Sequence, residues 1–336
     1  MIKDAIIKLS KKEDLDSFTA ETVMDEIMSG KASNLQIGAY LIALSMKGET
    51  IEEITASAKI MRQHAVKLLN DLDVLEIVGT GGDHSNSFNI STTSSIVVAA
   101  CGIPIAKHGN RAASSKCGAA DVLESLGVNI TIEADQAKQV LDKIGICFLF
   151  AQKYHSAMRF VAPVRKELSI RTIFNILGPL SNPAGASFQL MGVYDEELVE
   201  PLAQVLLNLG VKRGLVVYGL EGLDEISMVG KTKVCEIRNG WVKNYEIDPR
   251  DYGFDLCKKE DLEGGTPEEN AKIIKDIFNG KLGPKRDTVV LNSAAALYIA
   301  RDDLTLDKAI AEVKDVIDSK KALEKLNQMV EATNEV

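Results

Sequence analysis

The chain opens with hydrophobic residues at helical spacing. Ile2, Ile6, Ile7 and Leu9 recur with the period of one helix face, which predicts a first helix. Thr19 precedes a second helical run, Glu21 to Met28, and Gly30 stops it. Ser33 is placed to cap a third segment from Gln36 to Met46, ending near Gly48. Thr50 followed by Glu53 reads as a capping box for a helix reaching toward Ala65. Short connections between these segments predict a compact helical bundle. After about residue 74 the pattern changes. Apolar β-type runs occur at Val74 to Val78, Ile103 to Ala106, Phe188 to Val193, Gly214 to Tyr218 and Val289 to Leu291. Helical stretches lie between them, such as Glu196 to Leu209, closed by Gly210. Strands alternating with helices imply βαβ units and a largely parallel sheet. The last segment, Leu304 to Val336, is charged and helical in pattern, and its final residues are expected to fray.

The expected fold class is therefore α/β, in two parts. A small all-helical N-terminal domain covers residues 1–70, joined by a segment near 165–185. A larger α/β domain covers residues 71–336, with a mainly parallel central sheet flanked by helices. Composition agrees with a soluble globular chain of 336 residues, 46% hydrophobic and 26% charged. Lys and Arg number 39 against 48 Asp and Glu, a net charge of −9. That balance argues against non-specific nucleic-acid binding but leaves room for a local basic pocket. The five cysteines are scattered without a CxxC pair, so neither a disulfide framework nor structural zinc is expected. No signal peptide and no membrane span is read in the chain, and the expected location is the cytoplasm.

The densest chemistry runs from Gly79 to Lys116. GTGGD follows the strand Val74 to Val78, and an Asn-, Ser- and Thr-rich stretch, SNSFNISTTSS, opens the next apolar segment. Glycine lets the backbone turn with positive φ and approach an anion closely. Helix N-termini favour negative charge. Asn89 or Ser91 is a good N-cap for the helix that follows, and capping alone would also explain it. A glycine-rich loop by itself most often only makes a turn, and this one matches neither the P-loop nor the GxGxxG fingerprint. The second stretch, KHGNRAASSK, can add Lys107, Arg111 and Lys116 as charge partners, or be a solvated basic turn. Ligands of such sheets bind beyond the carboxyl ends of the strands, where the GTGG loop falls. Asp224 and Glu225 follow the strand Gly214 to Tyr218. Such a pair is usually a solvated turn, but magnesium binds one or two carboxylates together with substrate phosphates. Arg165 lies among aromatic and apolar residues and would suit an aromatic carboxylate. His155 reads more simply as a structural histidine than as a general base.

GTGGD, FNIST and KHGNR together resemble the anthranilate phosphoribosyltransferases. The segments from His155 to Met158 and from Arg171 to Pro183, RTIFNILGPLSNP, resemble the same family. The resemblance covers essentially the whole chain. It implies transfer of a phosphoribosyl group from 5-phosphoribosyl 1-pyrophosphate to anthranilate, in tryptophan biosynthesis. It places Gly79, Gly82, Asp83, Ser87, Asn89, Ile90, Ser91 and Thr92 on the sugar phosphate. Lys107, Asn110, Ser114 and Ser115 join them from the second stretch. Anthranilate is assigned Gly79, His108, Asn110 and Arg165. Mg2+ is assigned Ser91, Asp224 and Glu225, and Lys107 and Asp83 are implied in catalysis. Ser87 stands where many relatives carry Thr. Ala119 stands where relatives often have a phosphate-contacting Ser and can offer only its backbone.

The leaving pyrophosphate gathers negative charge as positive charge builds on the ribose, so electrostatic stabilisation is the expected core of catalysis. The amine of anthranilate is neutral at pH 7, and no single proton acceptor is expected to be indispensable. The resemblance also implies a homodimer, with an anthranilate synthase subunit as a candidate partner. Two rival readings stand beside this one. The segment QIGAYLIALSMKGETIEEI is shared in kind with the pyrimidine nucleoside phosphorylases, which bind orthophosphate and a nucleoside. A non-catalytic nucleic-acid-binding relative would be basic and would lack these motifs.

Overall fold

The computed structural model describes residues 1–112 and 115–336. Four helices open the chain: α1 (Ile2–Ser10), α2 (Ser17–Met28), α3 (Asn34–Lys47) and α4 (Ile51–His64). Both capping boxes form, Ser33 with Gln36 and Thr50 with Glu53. Glu53 does more than cap. Its buried carboxylate also accepts the Leu15 N–H at 2.9 Å and pairs with Lys47 at 2.8 Å, tying the α1–α2 loop to α4. The second helix begins earlier than Thr19, because Asp16 caps it by accepting the Thr19 N–H.

The α/β part supplies β1 (Leu75–Gly79), α5 (Ile90–Ala100), β2 (Ile105–Gly109), α6 (Ala119–Ser125), α7 (Ala134–Ile144) and β3 (Ile146–Phe150). Then come α8 (Ala151–Tyr154), α9 (Ala162–Leu168), α10 (Phe174–Leu177), β4 (Phe188–Gly192), α11 (Val199–Asn208) and β5 (Arg213–Gly219). The hairpin β6 (Thr232–Arg238) and β7 (Trp241–Ile247) precedes α12 (Pro267–Phe278), α13 (Pro284–Ala300), α14 (Leu306–Asp318) and α15 (Lys321–Glu335). The strands form one sheet in the order β3-β2-β1-β4-β5-β6-β7. β1 to β5 are parallel, and β6 and β7 are antiparallel to their neighbours. The winding reverses between β1 and β4, so a crevice opens there at the strand ends.

Side chains alternate across the sheet. Leu190, Leu215 and Val217 face a core with α5 and α13, whereas Met191, Val216 and Cys235 face the N-terminal helices and α11. The second core also takes Val161, Val164, Phe174 and Leu177, so the stretch from α9 to α10 packs with the helical bundle.

Two expectations fail, and the β6–β7 hairpin is absent from the expected strands. Val289 to Leu291 is no strand but the middle of α13, buried on nearly every side. A helix without a polar face shows no period, and its apolar run reads like a buried strand. The C-terminal helix does not fray at once: α15 runs to Glu335, and Asn334 donates to the Gly127 carbonyl at 2.9 Å. The β6–β7 hairpin carries no continuous apolar run. Its clearest sequence mark is Asn239-Gly240, whose φ angles of 50° and 81° give the left-handed turn such hairpins favour.

Candidate active site

The crevice is built around a close approach of main chain to main chain. Gly79 ends β1 and pairs in register with Gly192, which ends β4. Asp224 lies across both. A Cβ on Gly79 would run into the Asp224 carboxylate, and one on Gly192 would overlap its carbonyl. Glycine is needed here for space. Gly81 and Gly82 serve the other purpose, with φ of 66° and 75°, open space around Gly81 and only the Arg171 guanidinium at contact distance from Gly82. The turn they make aims the Gly81 N–H at Asp224 Oδ2, 2.7 Å away.

Glu225 lies beside the start of α5, where its carboxylate accepts the Ser91 N–H at 3.2 Å. Lys107 reaches across from β2, is buried, and donates to the Ile77 carbonyl at 2.7 Å and to Ser91 Oγ at 3.3 Å. Thus Ser91, Lys107, Asp224 and Glu225 meet at one place, with Asp83 near both acids. Burial pushes both carboxyls up. Asp83 and Glu225 push Asp224 further, and Lys107 pulls Glu225 back only in part. Burial pulls Lys107 down against the opposing pull of Glu76 and Glu225.

These donors fit magnesium. The carboxylates are buried and mutually repelling, Asp83 Oδ2 has no hydrogen-bond partner, and a divalent cation relieves both conditions. No group of three or more His, Cys, Asp or Glu side chains is arranged to hold a metal among the described residues, so a cation here would draw its remaining oxygens from Ser91, water or a ligand.

The other expected phosphate-loop residues are distributed around this point. Asn89 occupies the N-cap position of α5 without a side-chain cap. Its amide donates to the Cys117 carbonyl at 3.2 Å and accepts from Asn270 at 2.8 Å, which ties the loop to α12. Ser91 lies inside the first turn rather than capping it. Ser87 bridges to Glu263, and the Ile90 side chain is buried in the core with its N–H on the Phe88 carbonyl. Thr92 is buried, and its hydroxyl has no partner. Ser115 donates weakly to the Cys117 carbonyl at 3.5 Å, and Ser114 lies outside the described residues. Arg111 does not serve the crevice: Asp121 and Glu124 take up its charge at 3.0 and 2.8 Å. Ala119 begins α6, behind Gly118.

A second cluster lies beside the first. The His108 and His155 rings are 5.0 Å apart. His108 Nε2 and both ring nitrogens of His155 are buried without a partner. Burial lowers the His108 pKa to about 3, with the His155 and Lys107 charges adding to it, and burial lowers that of His155 to about 4. Both rings are neutral at pH 7. Asn110 accepts the Arg111 N–H at 2.8 Å and a longer contact from Gln152 at 3.4 Å. Arg165 stands on α9, 5.8 Å over the Phe174 ring, with no ion-pair partner among the described residues. Among the described residues no hydrogen bond or ion pair joins it to the phosphate loop. The link comes instead from Arg171, a residue without an expected role in the sequence. Its guanidinium stacks on Tyr194 at 4.0 Å and donates to the Gly82 carbonyl. Its sequence signal was only a basic residue in RTIFN.

Two family models match the chain. The helical bundle domain of a glycosyl transferase family matches residues 3–65, and its a/b domain matches residues 71–323. The anthranilate phosphoribosyltransferase of Lachnoclostridium phytofermentans is 62% identical, with 99% of each chain covered. That of Methanobrevibacter smithii is 63% identical, covering 99% of this chain and 100% of the relative. Among solved structures, the anthranilate phosphoribosyltransferase of Thermus thermophilus superposes with a TM-score of 0.93 at 41% identity, covering 98% and 99% of the two chains. The Saccharomyces cerevisiae enzyme, in complex with PRPP and Mg, superposes at 0.91 with 28% identity, covering 100% and 98%. The chain therefore belongs to this glycosyl transferase family, and within it to the anthranilate phosphoribosyltransferases.

Proposed function

We propose that this protein transfers the phosphoribosyl group of 5-phosphoribosyl 1-pyrophosphate to anthranilate, giving N-(5-phosphoribosyl)anthranilate and pyrophosphate in tryptophan biosynthesis. The observation that carries the reading is the meeting of Ser91, Lys107, Asp224 and Glu225 at the β1–β4 switch point, under a loop with two left-handed glycines. This is where a diphosphate and its cation belong in a parallel sheet. Ser91, Asp224 and Glu225 would hold Mg2+ there. When bound, it neutralises charge on the departing pyrophosphate.

The chain's own residues do the rest. The Gly81 N–H keeps Asp224 Oδ2 fixed, and the Ser91 N–H keeps Glu225 fixed, so neither carboxylate swings toward the phosphates. Lys107 brings a buried positive charge to the place where the leaving group becomes most negative. Asp83, with one free carboxylate oxygen, completes the phosphate side. Arg165, whose charge no acid neutralises among the described residues, takes the anthranilate carboxylate, with His108 and Asn110 beside the ring. The neutral histidines have pKa values too low for a good base at pH 7. An arylamine needs none before attack, so orientation and leaving-group stabilisation carry the rate.

The reading extends to a cytoplasmic homodimer, with an anthranilate synthase subunit as a candidate partner. Among the described residues no helix is long and apolar enough to cross a membrane. An apolar groove of about 750 Å³ between α1, α3 and α9 is bordered by the strongly exposed Leu35 and Met46. Lys12 and Glu167 on its border give a second copy complementary charges to meet. Two lobes, residues 1–70 with the segment near 165–185 against the rest of residues 71–336, would meet at the crevice, the second carrying the phosphate end together with His108 and Asn110 of the acceptor end, and Arg165 standing on α9 where it packs with the first.

Anthranilate fluorescence tests the activity directly. Its decay should need 5-phosphoribosyl 1-pyrophosphate and magnesium together. No decay from a folded sample, with phosphorolysis of thymidine or uridine in its place, would overturn the reading.

A further inference from the structure

Two buried oxygens on neighbouring strands have no hydrogen-bond donor among the described residues. Glu76 on β1 and Gln189 on β4 are paired in register, so their side chains leave the same face of the sheet side by side. Both are fully buried. Glu76 Oε1 accepts the His108 N–H at 3.0 Å, and Oε2 has no partner. The Gln189 amide donates to the Pro179 carbonyl at 2.8 Å, which fixes its orientation and leaves Oε1 without a partner. Both acceptors sit on side chains that leave neighbouring strands in register, and a carboxyl proton on Glu76 would supply the donor that both lack.

We propose that Glu76 is a neutral carboxylic acid in the folded protein, donating its proton to Gln189 Oε1 and serving as a positioning residue for His108. The bridge clamps β1 to β4 one turn of the pleat below the crevice, while the other oxygen holds the β2 main chain at the residue that faces His155. The groups around it agree with this state. Lys107 on β2 leaves the opposite face and is bonded to the Ile77 carbonyl and Ser91 rather than to Glu76. Arg62 on α4 gives its donors to the Leu180 and Leu209 carbonyls. The Asn182 amide, which also approaches the carboxyl, donates to the Ala106 carbonyl at 2.8 Å. No cation forms an ion pair with Glu76 among the described residues. Burial raises its pKa, and Asn182, Lys107, His108 and Arg62 offset this only in part. A neutral Glu76 also has a consequence for the site: the charge of Lys107 is left for an anion instead of being cancelled through the sheet. The proposal concerns the protonation of this chain and holds whatever the substrates are.

Glu76→Gln tests it, because the amide reproduces the bridge with no titrating group. Three readouts on the full chain are decisive. The infrared difference spectrum, wild type minus variant, should show the carbonyl stretch of a protonated carboxylic acid at pH 7. An ionised carboxylate band there would overturn the proposal. Thermal melts should give the second answer. A carboxyl whose pKa is raised on folding is held at no penalty below the ordinary carboxylate range and destabilises the fold progressively as pH rises through its folded value. The melting temperature of Glu76→Gln should therefore overtake that of the wild type increasingly from pH 5 to pH 8. A variant that melts lower than wild type at pH 8 but not at pH 5 would show a stabilising charged Glu76 and refute the neutral form. Binding of inorganic pyrophosphate gives the third. Its affinity should change by less than twofold, whereas several-fold tighter binding would mean that Glu76 had been opposing the anion as a charge. Glu76→Ala, which removes the bridge, should shift the histidine ring resonances of His108 and His155 in NMR spectra, and Glu76→Gln should restore them. Resonances that Glu76→Gln fails to restore would count against the positioning role.

Discussion

The two ends of the crevice are held by different means. At the phosphate end each of the three buried charged groups is tied to the main chain: Asp224 to Gly81, Glu225 to Ser91, Lys107 to Ile77. At the acceptor end His108 Nε2 and both ring nitrogens of His155 have no partner among the described residues, and Arg165 rests on a phenyl ring rather than an acid. One end is preorganised for a ligand of fixed charge and shape. The other leaves its hydrogen-bonding capacity open, so the ligand supplies the partner. Unmet buried polar atoms lower stability, and their concentration in the paired histidines, beside the single oxygens of Asp83 and Thr92 at the phosphate end, marks where binding energy is to be regained.

The sharpest break in this comparison comes from Gly192→Ala. Its Cβ would overlap the Asp224 carbonyl, and backbone cannot yield as a side chain does. The magnesium-dependent rate should fall by about 100-fold or more, with stability lowered by about 1–3 kcal/mol, measured by the fluorescence assay and denaturant unfolding. The paired change Asp224→Asn with Glu225→Gln should remove the magnesium dependence while leaving the fold intact, and an unchanged magnesium titration would show that these acids do not hold the cation.

Arg165→Ala acts at the other end. It should weaken anthranilate by about 1.5–3 kcal/mol, typical of a lost charge-assisted contact, with little change in the Michaelis constant for the sugar phosphate. Equal effects on both substrates would erase the division between the ends. The pH dependence of stability sharpens it further. His108 and His155 are held neutral with folded pKa values of about 3 and 4, below the unfolded value, so their contribution is present above about pH 6.5 and is lost as pH falls toward the folded values. His155→Phe should flatten the acid limb of a melting-temperature profile by up to about 3 kcal/mol. The smallest effect is expected from Arg171→Ala, which removes a stacking contact worth about 0.5–1 kcal/mol and raises the Michaelis constant for the sugar phosphate a few-fold.

What was legible in the sequence follows the same division. GTGGD is visible because left-handed turns and close approaches are tolerated by one residue type, and the capping boxes at Ser33 and Thr50 are visible because their spacing is local. The pairing of Asp224 with Gly79 and Gly192 spans the chain, and no local spacing encodes it. Arg111 looked like a phosphate ligand because its acid partners, Asp121 and Glu124, lie on the next helix. Arg171 was hidden for the opposite reason: its partners, Gly82 and Tyr194, come from two different strand ends. Val289 to Leu291 misled because a fully buried helix has lost its period.

The shared core has a consequence for how the molecule comes apart. One apolar cluster runs from Ile2 in the first helix through Met191 and Val216 to Cys235 and Ile237 at the antiparallel edge. The single tryptophan, Trp241, sits on the outermost strand of that edge. Tryptophan emission therefore watches the far side of the sheet, while circular dichroism at helix wavelengths is weighted toward the helices packed on its faces. With one cluster joining the two, both signals should trace a single cooperative transition with the same midpoint.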